Sequence, residues 1–271
     1  AHMSQRKFQF YIVPTPIGNI TDITIRAVEI LKEVDFIACE DTRTTQKLLN
    51  HYDIRTKCIS YHKYNERERV EFFLNELRNG KTIALVSDAG TPMICDPGNV
   101  IVEELRKENF EITALPGASA VTTFLSQVSR GGEEFAFVGF IPRSEKQIKE
   151  LVEKYSGINT VFYDSPERIL KTVSVIEKVR PTSKIVLARE LSKLFEEIKI
   201  GTPQEILTHF QDGIKGEIVC MIYADSNPEL VDLEMKIKKL KEKGFKAKDI
   251  SIIISTLYDM NKNDVYKLCL E

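Results

Sequence analysis

Thr82–Leu115, TIALVSDAGTPMICDPGNVIVEELRKENFEITAL, holds one whole structural unit of this chain. A short β-prone run, Thr82–Val86, enters a loop crowded with Gly, Pro, Asp and Ser. A helically spaced run, Val100–Arg106, follows, and Glu111–Leu115 is β-prone again. Two strands joined through a helix pair in parallel, because the crossover carries the chain back to the edge from which it started.

The same alternation extends in both directions. Upstream, strands are predicted at Phe8–Val13 and Phe36–Cys39, with helices at Ile23–Leu31, Thr44–Leu49 and Val70–Leu77. Downstream, strands are predicted at Phe135–Phe140, Thr160–Tyr163, Ile185–Ala188, Glu196–Ile200 and Glu217–Tyr223. Helices at Ile148–Lys154, Ile169–Val179 and Pro203–Phe210 lie between them. The fold class is therefore α/β, with helices covering mostly parallel sheets. No helix separates Ile185–Ala188 from Glu196–Ile200, so the second sheet is expected to be partly antiparallel. After a turn-rich break at Asp225–Pro228 the composition changes to three helices: Leu230–Lys243, Ala247–Tyr258 and Lys262–Leu270. Gly244 sits where a C-cap belongs and Asn261 where an N-cap belongs. The trio has the proportions of a helix-turn-helix unit. The expected organisation is an N-terminal α/β domain over 1–116, a C-terminal α/β domain over 117–227 and a helical domain over 228–271.

Bulk composition excludes several classes. With 271 residues, 42% of them hydrophobic, the chain can bury a proper core. No apolar run is long enough to cross a bilayer, and the start is polar and basic, so a cytoplasmic protein is expected. Ala1-His2 ahead of Met3 reads as a cloning remnant. Five scattered cysteines without a CxxC pair fit neither a disulfide framework nor a zinc site, so no metal is expected. A net charge of −2 means that any nucleic-acid contact must rest on a local cluster of cations.

Four loops carry the candidate chemistry, each following a strand, where ligands of α/β sheets gather. The first is Pro14–Asn19 (PTPIGN), which lacks both glycine-rich nucleotide fingerprints. The second, Glu40–Arg43 (EDTR), puts acids at a helix start, where they also complement the helix dipole. The third, Ser87–Pro92 continuing to Cys95–Gly98, combines Asp88 with the permissive Gly90 and Gly98. Asp88 there accepts ligand hydrogens or closes an ordinary Asx turn. The fourth, Pro116–Ala120, turns tightly into a helix whose first N–H groups are free.

Taken in order, the blocks VPTPIGNITDITIRA (Val13–Ala27), DFIACEDTRTTQKLL (Asp35–Leu49), VSDAGTPMICDPG (Val86–Gly98) and ALPGASA (Ala114–Ala120) resemble the tetrapyrrole-methylase superfamily. So do FVGFIPR (Phe137–Arg143), FYDSPERI (Phe162–Ile169), LARELSKLFEE (Leu187–Glu197) and KGEIV (Lys215–Val219). Within that superfamily they look most like the 16S ribosomal RNA (cytidine-2′-O)-methyltransferase family. The GxGPGD-like opening of the porphyrin branch is absent.

The resemblance implies a two-lobed class III methyltransferase fold with a terminal helix-turn-helix-like unit. It also implies S-adenosylmethionine as cofactor, 16S ribosomal RNA in the small subunit as substrate, and a homodimer. Carried over by motif, Asp88, Ala89, Gly90, Ser119, Ala120, Tyr163, Ala188, Gly216 and Glu217 are the expected cofactor residues. Asp41, Arg43, Glu190 and Lys193 are nominated to handle the proton and orient the ribose, with His62 beside them. Arg43 suits a bidentate phosphate contact. Lys47, Lys63, Arg67, Arg143, Arg168, Lys246, Lys248 and Lys262 are further candidate RNA contacts, with Tyr64 and Asn65 as candidates for the base. The alternatives are a tetrapyrrole substrate for the same fold, or a ligand-sensing nucleic-acid regulator built on the terminal helices.

Overall fold

The computed structural model describes residues 5–95, 98–225 and 228–271. Asp96 and Pro97 of the third loop, and Ser226 and Asn227 of the predicted break, lie outside the described residues. The chain divides into two compact units.

The first unit spans residues up to Ser129 and also takes in Ala188–Glu197. Its strands are β1 (Phe10–Ile12), β2 (Phe36–Cys39), β3 (Lys57–Ser60), β4 (Ile83–Leu85) and β5 (Ile112–Ala114), interleaved with α1 (Ile25–Glu33), α2 (Thr42–His51), α3 (Glu66–Arg78), α4 (Asn99–Lys107) and α5 (Ala120–Leu125). The sheet order is β3-β2-β4-β1-β5, and the pairs β1/β4, β1/β5, β2/β3 and β2/β4 are all parallel. Because all five strands run the same way, every loop that leaves a strand emerges at one edge of the sheet.

Alternation along each strand fills both faces. Phe10, Ala38, Ile83 and Leu85 pack with Phe73, Leu77 and Leu105 of α3 and α4. Tyr11, Ile37, Cys39 and Ala84 pack with Leu31 of α1 and Leu49 of α2. A sheet buried on both faces needs apolar residues at consecutive positions, and the strands here supply them. The short edge strand β3, KCIS, is absent from the sequence prediction because its polar ends hide a run of only two apolar residues.

The second sheet and its helices comprise β6 (Ala136–Phe140), α6 (Glu145–Lys154), β7 (Thr160–Asp164), α7 (Ile169–Val179), β8 (Ile185–Arg189), β9 (Glu197–Gly201), α8 (Pro203–His209) and β10 (Ile218–Ile222), all in the second unit except Ala188 and Arg189 at the end of β8 and Glu197 at the start of β9. Its sheet order is β6-β7-β10-β8-β9, with β6/β7 parallel and β7/β10 antiparallel, a mixed sheet. Phe162, Ile185, Leu187, Ile218 and Cys220 pack against Ile148, Val173, Ile176 and Ile206. Thr202 and Glu205 form a reciprocal capping box on α8, with Pro203 in the first turn.

Helices α9 (Pro228–Glu242), α10 (Ala247–Leu257) and α11 (Lys262–Leu270) have a small core of their own: Leu233, Ile237, Ile250, Ile254, Val265 and Cys269. Asn261 caps α11 by accepting the Asn263 N–H at 2.8 Å, and Gly244 adopts φ +90° just past α9. These helices fall in the second compact unit.

The unit boundary lies at Ser129/Arg130, whereas the sequence pattern suggests 116/117. The reason is local. Gly117 lies against Pro14, and Val121, Phe124 and Leu125 of α5 are buried, so the Pro116–Ala120 turn and its helix stay with the first unit. No helix among the described residues is long and apolar enough to cross a membrane. Phe162, on β7 between β6 and β10, is fully buried. Phe162→Ala is expected to destabilise that unit by about 3–5 kcal/mol, read from the shift of its denaturant midpoint.

Candidate active site

At the carboxyl edge of the first sheet the loops are tied to one another. Thr15 donates its N–H to the Gly90 carbonyl at 3.0 Å and accepts the Gly90 N–H at 2.9 Å, an isolated antiparallel bridge between the loops after β1 and β4. Gly90 makes this possible with φ +79°, a conformation that side chains with a Cβ resist. Thr15 Oγ1 also donates to the Ser87 carbonyl at 3.2 Å. Thr91 Oγ1 donates to the Ala118 carbonyl at 2.8 Å, which joins the loop after β5 to the same assembly. At Gly117 an added Cβ would lie 2.7 Å from the Pro14 Cβ.

The loop after β2 joins through two acids. Asp88 Oδ1 accepts the Asp41 N–H at 3.1 Å. Asp41 in turn caps α2, its Oδ1 accepting the Arg43 N–H at 2.9 Å, with Arg43 Nε at 3.4 Å. The Arg43 N–H and guanidinium hold the Asp41 carboxyl below the usual carboxylate range. Asp88 shifts the other way: partial enclosure by the surrounding loops raises it, as does the neighbouring Asp41 charge, against the Asp41 N–H, which lowers it. The Arg43 side chain itself is 90% exposed and projects from the helix start.

The segment Ala188–Glu197 completes this edge. Lys193 and Leu191 lie so close to Gly18 that an added Cβ there would meet Lys193 Cγ at 2.7 Å and the Leu191 carbonyl at 2.8 Å. Ser192 Oγ donates to Asp22 Oδ2 at 3.0 Å. Lys193 Nζ pairs with Glu190 Oε2 at 3.2 Å. Glu190 and Ser192 take φ +55° and +69°, left-handed positions without glycine. Such strain persists only where the surroundings impose it. The N–H of Lys193 to the Glu190 carbonyl (3.0 Å) and that of Ser192 to Glu196 Oε1 (3.2 Å) fix the turn. Arg189 Nε and Glu197 Oε1 close its base at 2.8 Å.

Between these loops lies a cavity of about 260 Å³, with Thr15, Gly18, Thr45, Asp88, Ala89 and Lys193 among its walls. The structure thus brings together Asp88, Ala89, Gly90, Asp41, Glu190 and Lys193. Ser119 stands at the N-cap of α5 with no capping bond from its hydroxyl, and Ala120 begins that helix. Ala188 is buried, in the segment held by the first unit.

Tyr163, Gly216 and Glu217 belong to the second unit. Tyr163 is half-buried among Phe137 and Phe140, with ring centroids 5.0 and 5.5 Å away. The register Ile218↔Asp164 sets Gly216 and Glu217 beside the end of β7, so these three share one edge of the second sheet.

Other candidates have structural work. Asn65 spends its amide on Ser60, its Nδ2 donating to the carbonyl at 3.3 Å and to Oγ at 3.1 Å, and it accepts the His62 N–H at 2.9 Å, so it braces the turn before α3 instead of meeting a base. His62 Nδ1 accepts the Tyr64 N–H at 3.2 Å in the same turn. Arg168 Nε donates to Ser165 Oγ at 3.1 Å and lies 3.8 Å from the buried Asp164. Sequence reasoning missed Thr15, Asp22 and Ser192, whose roles are loop-to-loop bonds across long sequence separations. Among the described residues no His/Cys/Asp/Glu cluster is suited to a metal.

Residues 9–207 match the model of the Tetrapyrrole (Corrin/Porphyrin) Methylases. A Streptococcus pyogenes (serotype M1) protein named Ribosomal RNA small subunit methyltransferase I is 42% identical over 95% of this chain and 93% of its own. One of the same name from Vibrio cholerae is 37% identical over 96% and 94%. The chain belongs to the tetrapyrrole methylase family, in its ribosomal RNA small subunit methyltransferase I branch. Among solved tetrapyrrole-methylase folds, diphthine synthase superposes with a TM-score of 0.64 at 16% identity, over 79% of this chain and 89% of that one. Uroporphyrin-III C-methyl transferase from Thermus thermophilus, complexed with S-adenyl homocysteine, gives 0.58 at 15% identity, over 79% and 97%. At such identities the likeness is one of fold.

Gly18→Ala is expected to push the Ala188–Glu197 segment of this methylase off the first loop. Hydrogen exchange at Ser192, Lys193 and Glu196 should speed up and the melting temperature fall. Gly131→Ala, which meets nothing within 4 Å, should change neither. The two acids predict opposite pH responses. Asp41 is lowered in the folded chain, so its charge stabilises above the unfolded carboxylate value and that stability is lost as pH falls through the folded value. Asp88 is raised, so its charge opposes folding at neutral pH and protonation relieves it. In thermal melts at pH 7, Asp41→Asn should lower the midpoint and Asp88→Asn should raise it, and both differences should shrink in acid.

Proposed function

We propose that this methylase transfers a methyl group from S-adenosylmethionine to the ribose 2′-hydroxyl of a cytidine in the decoding centre of 16S ribosomal RNA. The observation that carries this reading is the near full-length similarity to proteins named for small-subunit ribosomal RNA methylation. Its acceptor is the RNA of the small ribosomal subunit, and the enzyme works in the cytoplasm as a homodimer, as the family resemblance implies.

The carboxyl edge of the first sheet fits the cofactor. Gly90 takes a backbone conformation that a Cβ resists, Gly18 lets Lys193 and Leu191 close on the first loop, and Asp88 on the cavity wall offers a carboxylate for hydroxyl or amino hydrogens. The Ser119 hydroxyl, unused in capping, is a further donor. Tyr163, Gly216 and Glu217, grouped in the second unit, are the proposed partners for the rest of the cofactor. When bound, S-adenosylmethionine supplies an electrophilic methyl on a sulfonium, and no metal is needed.

The residues of the chain then have two tasks. The first is alignment of the hydroxyl, an effect that supplies roughly 7–11 kcal/mol when the approach is well oriented. Lys193 and Glu190, joined at 3.2 Å and anchored over Gly18, are the proposed pair that orients the hydroxyl and receives its proton. Asp41 has a different part: its carboxylate is committed to capping α2 and to Arg43, which weakens it as a base and makes it a positioning residue. Arg43, exposed at the helix start, is the proposed phosphate contact.

Incubation of purified protein with small subunits and labelled S-adenosylmethionine, followed by mass-spectrometric mapping of ribose methylation, tests the reading. Lys193→Ala should slow transfer by about 10²- to 10⁴-fold while S-adenosylhomocysteine still binds. Wild-type rates in both Lys193→Ala and Glu190→Ala would remove that pair from the chemistry. Labelling of porphyrinogens in place of RNA would overturn the substrate.

A further inference from the structure

The second unit contains a larger cavity, about 630 Å³, whose walls include none of the residues nominated above. It lies where β10 ends and β8 begins: Tyr223 donates its N–H to the Lys184 carbonyl at 2.9 Å. The register Ile222↔Thr160 places it beside the start of β7, at the opposite end of that strand from Tyr163 and Asp164.

Its walls carry an excess of cations. Lys149, Lys178, Arg180, Lys184 and Lys238 face Glu153, Asp225 and Glu234, five positive groups against three negative, in a chain whose net charge is −2. Lys149 and Lys178 share one carboxylate, Glu145, at 3.4 and 2.8 Å. Neither Lys184 nor Lys238 makes an ion pair among the described residues; Lys184 Nζ instead sits 4.6 Å from the Tyr223 ring centroid. Arg180 is 9% exposed, and its Nη2 donates to the Tyr223 carbonyl at 3.1 Å. Its approach to Asp225 is long, 3.8 Å, and its Nε has no hydrogen-bond partner. Burial lowers the Arg180 pKa, the response of a cation whose compensation is incomplete.

We propose that this cavity binds a phosphate group, supplied by the phosphodiester backbone of the RNA. Arg180 is the preorganised, buried part of the site, and Lys184 and Lys238 are the exposed arms that close on the anion. Naming RNA as the source rests on the proposed function; the phosphate chemistry does not. A five-residue strand is about 17 Å long, so an RNA of several nucleotides reaches from the Tyr163 edge to this cavity. The cavity thereby supplies the local cationic patch that a chain of net negative charge needs for RNA.

The test uses the full chain and the double variant Lys184→Gln/Lys238→Gln, whose exposed side chains leave the core untouched. Inorganic phosphate is titrated by calorimetry, and a small-subunit RNA fragment is titrated over a range of salt. The double variant should bind inorganic phosphate at least about tenfold more weakly, and the slope of log K against log salt should fall by about 1–2. S-adenosylhomocysteine affinity should not change, and Lys184→Arg/Lys238→Arg should restore both phosphate and RNA binding. Unchanged phosphate affinity together with an unchanged salt slope overturns the proposal. A drop in phosphate affinity with an unchanged RNA slope overturns RNA as the source and leaves a free phosphate as the ligand. Wild-type protein that binds phosphate through these lysines yet never binds S-adenosylhomocysteine supports the cavity and overturns the proposed function.

Discussion

The carboxyl edge of the first sheet depends on one backbone arrangement, the reciprocal pair of hydrogen bonds between Thr15 and Gly90. Loops that leave parallel strands have no intrinsic reason to hold one shape, since each carries backbone donors and acceptors that the sheet no longer satisfies. Here the groups satisfy one another: Thr15 with Gly90 and Ser87, Thr91 with Ala118, Asp88 with Asp41. The result is a rim in which the Asp88 carboxylate and the backbone of Thr15 and Gly90 are tied in place. Preorganisation of this kind is what an alignment-driven methyl transfer requires, because the reaction asks for orientation more than for strong acid or base groups.

The Ala188–Glu197 segment adds the Glu190–Lys193 ion pair to that rim. It begins with the last two residues of β8 and groups with the first unit. Two non-glycine residues in left-handed conformation, Glu190 and Ser192, mark the strain of the tight turn that points Lys193 at Gly18. The bond from Ser192 to Asp22 and the pair Glu190–Lys193 hold it there. The same residues that look like a charged loop in the sequence thus form one wall of a cavity.

The charge distribution gives the methylase a consistent electrostatic picture. A net charge of −2 offers no general attraction for RNA, so binding depends on where the cations stand. Arg43 is exposed at the rim, and a second set of cations lines the cavity of the second unit around Arg180. Many of the remaining lysines and arginines are paired on the surface, where such pairs contribute little: Lys107 with Glu103 and Glu104, Arg78 with Glu108, Lys236 with Asp232.

The sequence by itself determined the family, the α/β alternation, and nearly every element of both sheets, because hydrophobic periodicity and turn residues act locally. Ile169–Val179 and Lys262–Leu270 match the observed helices residue for residue, and the cap at Asn261 is where its side chain predicts. The eight ordered blocks likewise contain Asp88, Gly90 and Lys193, which lie together at the rim of the first sheet. What only the tertiary structure decided are the non-local facts: that Pro116–Ala120 stays with the first unit, that Lys193 rests on Gly18, that Asn65 is consumed by Ser60, and that Arg180 is buried without full compensation. Each depends on a contact between residues distant in the chain or on what a side chain's neighbours leave unsatisfied. No local pattern encodes those, because they are fixed only when the whole chain has packed.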